Sequence, residues 1–146
     1  MNCYSFVEHE QDVISDAVQK ILITKQTPGN ATLYQQKLYI KITEIIKNYE
    51  RRDFQVDGYT VKHLETQFFE FRIQSGGTNL LIRIFFFHST PTTIVLTGNL
   101  IKPQSYNDKK QKEKTDQDYE TALTTAKIIQ QDFLWPQEFT YQLLTF

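Results

Sequence analysis

Cysteine is almost missing from this chain: Cys3 is the only one in 146 residues. A lone thiol excludes an internal disulfide framework and any zinc site built on several cysteines, and is better read as a small buried hydrophobe. Glycine and proline are scarce, at five and four residues, too few for a low-complexity or disordered chain. Neither sign of charge prevails. Sixteen Lys and Arg stand against seventeen Asp and Glu, a net charge of −1, so bulk charge announces no polyanionic partner and any basic site has to be local. No window approaches the roughly 20 apolar residues of a membrane-spanning helix. The opening MNCYSFVEHEQD is acidic and lacks the cationic start and apolar core of a secretory leader. These absences predict a cytoplasmic protein with no membrane partner. Familiar catalytic signatures are missing as well: no P-loop, no dinucleotide-type glycine pattern and no GxSxG. The three histidines, His9, His63 and His88, lack the i, i+4 pairing of a metal-binding helix, so no metal and no cofactor is expected.

What is present is apolar and aromatic. Hydrophobic residues make up 40%, with eleven Phe and eight Tyr, enough for one packed domain. Tyr4 to Val7 alternates like a short edge or first strand. From Asp12, apolar residues fall at Val13/Ile14, Ala17/Val18 and Ile21/Leu22, the spacing of an amphipathic helix. It is expected to stop before the turn Thr27-Pro28-Gly29-Asn30, with Asn30 or Thr32 capping the next helix. Leu33 to Tyr49 is that second helix, and the short loop makes an antiparallel helical hairpin. Beyond Asp57-Gly58 the period changes from 3.6 to 2. Val61 to Phe87 reads as a β-hairpin closed over Ser75-Gly76-Gly77-Thr78, and Thr93 to Ile101 as a third strand with a candidate bulge at Gly98. A lysine-rich loop, 108–114, leads to a last helix from Thr115 or Asp116 to about Phe133, with Tyr119 on its apolar stripe. The apolar tail from Leu134 to Phe146 packs as an added strand or over the open sheet face. The expected fold is α+β: an N-terminal helical hairpin on a small twisted antiparallel sheet, with a C-terminal helix. Residues 1–133 form a single domain and 134–146 an extension packed on it.

The functional question lies in the hairpin. Each long strand carries one arginine, Arg72 and Arg83, inside an apolar and aromatic run. Alternation turns Phe69, Phe71 and Ile73 one way and Phe68, Glu70, Arg72 and Gln74 the other; Leu81, Arg83, Phe85 and Phe87 likewise share a face. Both arginines are then candidates for the face away from the helices, where cross-strand neighbours lie about 5 Å apart. Lys62 and His63 precede the first strand, Lys102 ends the third, and Tyr106 follows. Cations and aromatics on a sheet suit a phosphate backbone and unstacked bases. The structural alternative stands beside this: Arg83 pairs with Glu70 or Glu65, Arg72 is a solvated strand residue, and Lys102 guards a strand end.

Taken in order, Val61-Lys62-His63-Leu64, Phe69-Glu70-Phe71-Arg72-Ile73, Leu81-Ile82-Arg83-Ile84-Phe85-Phe86, an apolar strand ending at Lys102, and Asp118-Tyr119-Glu120-Thr121-Ala122 resemble the RelE/HigB-type toxins of bacterial type II toxin–antitoxin systems, closest to their phage-derived HigB-like branch. The resemblance covers about residues 31–133 and implies a RelE-like fold. It also implies a ribosome-dependent mRNA endonuclease, restrained by a cognate antitoxin protein, in which the 2′-hydroxyl attacks the adjacent phosphate and leaves a 2′,3′-cyclic phosphate. By that resemblance Arg72 and Arg83 bind and stabilise the phosphate, Lys62 or His63 accepts the proton or orients the substrate, and Lys102 and Tyr106 complete the pocket. His88, expected in the loop after the second strand, is a weaker candidate. Family members are usually more basic and shorter. Here Lys109, Lys110, Lys112 and Lys114 supply local charge, and the tail has no counterpart. Two further functions are weighed: a non-catalytic binding protein on the same fold, and a ParE-like gyrase inhibitor.

Overall fold

The computed structural model describes residues 1–24 and 31–146. The expected turn at Thr27–Asn30, and Asn30 as a helix cap, lie outside the described residues. The chain opens with β1 (Asn2–Glu8), which folds back through the left-handed residues His9 and Glu10 into the two-residue β2 (Gln11–Asp12). Asp12 then starts α1 (Val13–Thr24): its Oδ1 accepts from the backbone of Ile14 and Ser15, both at 2.9 Å, which satisfies donors that a helix start otherwise leaves unpaired. Next come α2 (Ala31–Arg51), β3 (Val61–Glu65), β4 (Phe68–Gln74), β5 (Leu80–Thr90), β6 (Thr93–Pro103), α3 (Lys109–Leu134) and β7 (Tyr141–Leu144).

The sheet runs β2-β1-β6-β5-β4-β3, with β7 also beside β1. β1 and β6 are parallel and every other neighbouring pair is antiparallel. This corrects the expected fold class. The sheet is mixed and seven-stranded, not a small antiparallel one, and strands, not a helical hairpin, open the chain. The physical reason is that alternation identifies a strand without naming its neighbours. β1 lies beside β6, some ninety residues away, and the tail joins β1 on the other side.

Helices cover both faces. On one face Ile14 and Ile21 of α1 and Ile42, Ile46 and Tyr49 of α2 form a cluster with Phe71, Ile73, Ile82, Ile84 and Phe86 of β4 and β5, all essentially inaccessible to water. Phe71 and Phe86 stack with ring centres 4.2 Å apart and meet Tyr49 edge-on. On the opposite face α3 lays Ala126 and Ile129 over Phe68, Phe87 and Val95, with Phe133 and Tyr141 closing the cluster. The expectation that this second face is open is therefore corrected: α3 lies across β5 and β6. It also starts earlier than expected. Asp108 caps it through a 2.8 Å bond from the Gln111 backbone, so Lys109–Lys114 form its first turns instead of a loop.

One carboxylate anchors the turn that leads into the tail. Asp132 accepts from the backbone of Glu138 (2.7 Å) and Phe139 (3.0 Å) and from the Tyr141 hydroxyl (2.6 Å). Those bonds hold its pKa below the ordinary range against the opposing effect of desolvation. The turn they define delivers β7 to β1, pairing Cys3 with Leu144 and Phe6 with Tyr141.

A candidate anion site on the second face

β4 and β5 meet in unbroken register, so Arg72 lies directly opposite Arg83. The same register sets Lys62 of β3 opposite Glu70, and Lys102 of β6 opposite Leu81. Directly paired residues of an antiparallel ladder share a face, so Lys62, Arg72, Arg83 and Lys102 all lie on the α3 side of the sheet.

Glu70 sits among them. Its Oε1 is 3.6 Å from Nε of Arg72 and 3.6 Å from Nε of Arg83, and its Oε2 accepts from the Tyr119 hydroxyl of α3 at 2.8 Å. The two arginines differ in access. The Arg72 side chain is 32% exposed and that of Arg83 only 4%. At 3.6 Å the contacts with Glu70 are ion pairs rather than hydrogen bonds, and the buried Arg83 Nε has no hydrogen-bond partner. Arg72 is held in place by its Nη1, which donates to the Gly58 carbonyl at 3.3 Å, and by its backbone, which donates to Thr60. Asp57 rigidifies that loop by accepting from the backbone of Tyr59, Thr60 and Val61.

Tyr119 stays protonated far above the ordinary phenol range. Burial is the main cause, followed by the charge and hydrogen bond of Glu70, with Arg83 acting the other way. Lys102 Nζ lies 5.7 Å from the Tyr106 ring centre and 6.0 Å from that of Tyr119, within cation–π range. Tyr106 thus joins the group from the loop after β6. The site holds a buried Arg–Glu–Tyr core, an outer layer of Arg72, Lys62 and Lys102, and no nucleophilic thiol.

Two candidates lie elsewhere. His63 is opposite Phe69 on the other face, its ring 5.1 Å from that phenyl and its Nε2 donating to the Thr66 carbonyl at 2.9 Å. His88 belongs to β5, not to the loop after it, and also points to the helical-hairpin side. Its Nδ1 donates to the Thr90 carbonyl, so Nε2 accepts from Tyr49 at 2.7 Å. Burial lowers its pKa, with the backbone near Thr90 and Pro91 opposing. Glu65 pairs with Lys127 at 2.8 Å, leaving Glu70 as the partner of Arg83. Sequence reasoning assigned Tyr119 to an apolar stripe and Glu70 to a possible ion pair. The signal for both was the alternation that put Glu70 on the arginine face, where a buried charge needs partners from whatever covers it.

A groove of about 430 Å³ lies across α3, between β2, α1 and the Thr97–Gly98 bulge of β6. It is lined by Glu8, Asp16 and Asp118, with His9 and with Lys20 paired to Asp16 at 3.1 Å, and shares none of the cations above. Among the described residues no three His, Cys, Asp or Glu side chains cluster as metal ligands, and no helix is long and apolar enough to cross a membrane. Comparison with family models, curated proteins and solved structures finds no match for this chain.

Proposed function

We propose that the chain is a toxin of the RelE/HigB type that cuts mRNA on the ribosome, acts in the cytoplasm and is restrained by an antitoxin protein. The observation that carries this reading is the gathering of Lys62, Arg72, Arg83 and Lys102 on one face around Glu70 and Tyr119. In such a reaction the RNA 2′-oxygen bonds to phosphorus, the bond from phosphorus to the 5′-oxygen breaks, one proton leaves the 2′-hydroxyl and one reaches the 5′-oxygen. Arg72 and Lys102 are placed to hold the phosphate oxygens, and Arg83 reinforces the site from behind through Glu70. Lys62, at the exposed edge, takes the proton-accepting or orienting role that His63 cannot share from the other face. Tyr106 provides a phenol beside Lys102 for proton donation or base stacking, while Tyr119, its proton committed to Glu70, positions that carboxylate. Expression of the wild type should arrest growth and leave mRNA cut within ribosome-bound regions. Arg72→Ala should abolish both effects while the protein stays folded. A harmless wild type with intact mRNA would overturn the reading.

A second reading, a non-catalytic binding protein, is favoured by the burial of Arg83 and its engagement by Glu70. It predicts RNA binding that depends on Arg72 without cleavage.

A further inference from the structure

β7 pairs with β1 along one side only and ends the sheet there. A free strand edge presents unpaired N–H and C=O groups, which natural proteins usually blunt with charge, proline or a bulge. The opposite edge follows that practice: β3 carries Lys62, His63 and Glu65 and is irregular between His63 and Glu65. The β7 edge does not. Phe139 to Phe146 reads FTYQLLTF, with no charge and no proline. Large apolar side chains flank it in the open: Trp135 is 84% exposed, Leu134 60% and Leu143 48%, with Phe139 and Phe146 also exposed.

We propose that this edge is a homodimer interface, in which β7 pairs antiparallel with β7 of a second copy to make one continuous sheet across a two-fold axis. The occupant follows from the chemistry. A bare backbone edge accepts a strand. An uncharged strand meets no like-charge repulsion from its own copy, whereas joining β7 to the charged β3 edge would be mismatched and would propagate without closing. Antiparallel pairing also sets the partner's Phe139 end beside this chain's Leu143–Phe146 end, so that apolar residues exposed on each copy cover one another. Arg72 and Lys62 lie toward the opposite edge, and the inference does not rest on the RNA-cutting activity.

Light scattering on the eluting full-length protein should give twice the 17.3 kDa of one chain. Leu143→Lys and Leu143→Glu should each elute as folded monomers with unchanged circular dichroism, and mixing the two should restore the dimer. A monomeric wild type, a ladder of species beyond two, or a dimer indifferent to Leu143→Lys would each overturn the proposal. Should either variant fold poorly, amide exchange on the wild type decides. The outward-facing amides of β7 should be protected at high concentration and exchange freely on dilution, and free exchange at both concentrations would refute the interface.

Discussion

Arg72 and Arg83 occupy matched positions in neighbouring strands, yet their environments give them different duties. Arg83 is enclosed by the sheet, α3 and Glu70, and truncating one member of a buried ion pair leaves the other charge uncompensated. Such losses cost about 3–5 kcal/mol, so Arg83→Ala is expected near the lower end, since Glu70 keeps Arg72 and Tyr119. Arg72 is a third exposed and its pair is screened, so Arg72→Ala should cost less than about 1 kcal/mol. Urea denaturation of the two variants measures this contrast. It also identifies Arg72→Ala as the clean test of function, because loss of activity in Arg83→Ala conflates chemistry with unfolding. Tyr119→Phe removes the one hydrogen bond that Glu70 receives from α3, and should cost about 1–3 kcal/mol because a buried acceptor loses its donor.

The elements most legible in the sequence were those with a clean period. The amphipathic stripes of α1 and α2 and the alternation of β4 and β5 placed Arg72 and Arg83 on a common face, away from the helical hairpin. Two boundaries were not legible for a local reason. The run Lys109–Lys114 reads as solvated loop until Asp108 is recognised as its cap, and His88 reads as turn although its backbone pairs with Ile94 of β6. The tail was harder still, because nothing in its composition chooses between covering the sheet and extending it; the Asp132 turn and the β1–β7 ladder together hold it as an added strand. A chain ending at Phe133 should therefore lose β7 and leave Tyr4, Phe6 and the β1 edge bare. We expect a lowered melting temperature and poor solubility from that truncation, not release of an inhibited site, and thermal unfolding with a solubility assay distinguishes the two. The Asp57 loop gives a pH test. Desolvation raises the Asp57 pKa, but bonds from Val61, Thr60 and Tyr59 outweigh it and hold it well below the ordinary 3.8 of an aspartate. A depressed carboxylate stabilises the fold fully above that value, and the contribution is lost as pH falls below 3.8 toward the folded value. Asp57→Asn should be less stable at neutral pH and should show a shallower loss of stability in acid, read from melting temperatures between pH 2 and 6.

For the whole molecule, what local pattern could not supply was strand order. Periodicity is a property of one segment, whereas β1 beside β6 is set by the helices carrying the chain to β3 at the far edge, from which the β3–β6 meander returns to β1, and α3 across the second face by what that sheet leaves uncovered. The consequence for function is that the cationic face is a flank, not an open plateau. Its accessible charges are Arg72, Lys62 and Lys102, while Arg83 is sealed behind Glu70. Balanced overall charge gives little long-range attraction to RNA, so binding should be governed by these few contacts. Each phosphate neutralised on a single strand changes log K by about −0.7 per unit of log salt. Three contacts predict a slope of about −2 for a short single-stranded oligonucleotide, falling toward about −1.4 in Arg72→Ala. A slope near −5 would mean that the exposed lysines opening α3 also bind the strand, extending the site along Lys109, Lys110, Lys112 and Lys114. A slope near zero, or no binding at low salt, would exclude an RNA backbone from this face. Fluorescence anisotropy across a salt series, with wild type and Arg72→Ala in parallel, separates these outcomes in one experiment.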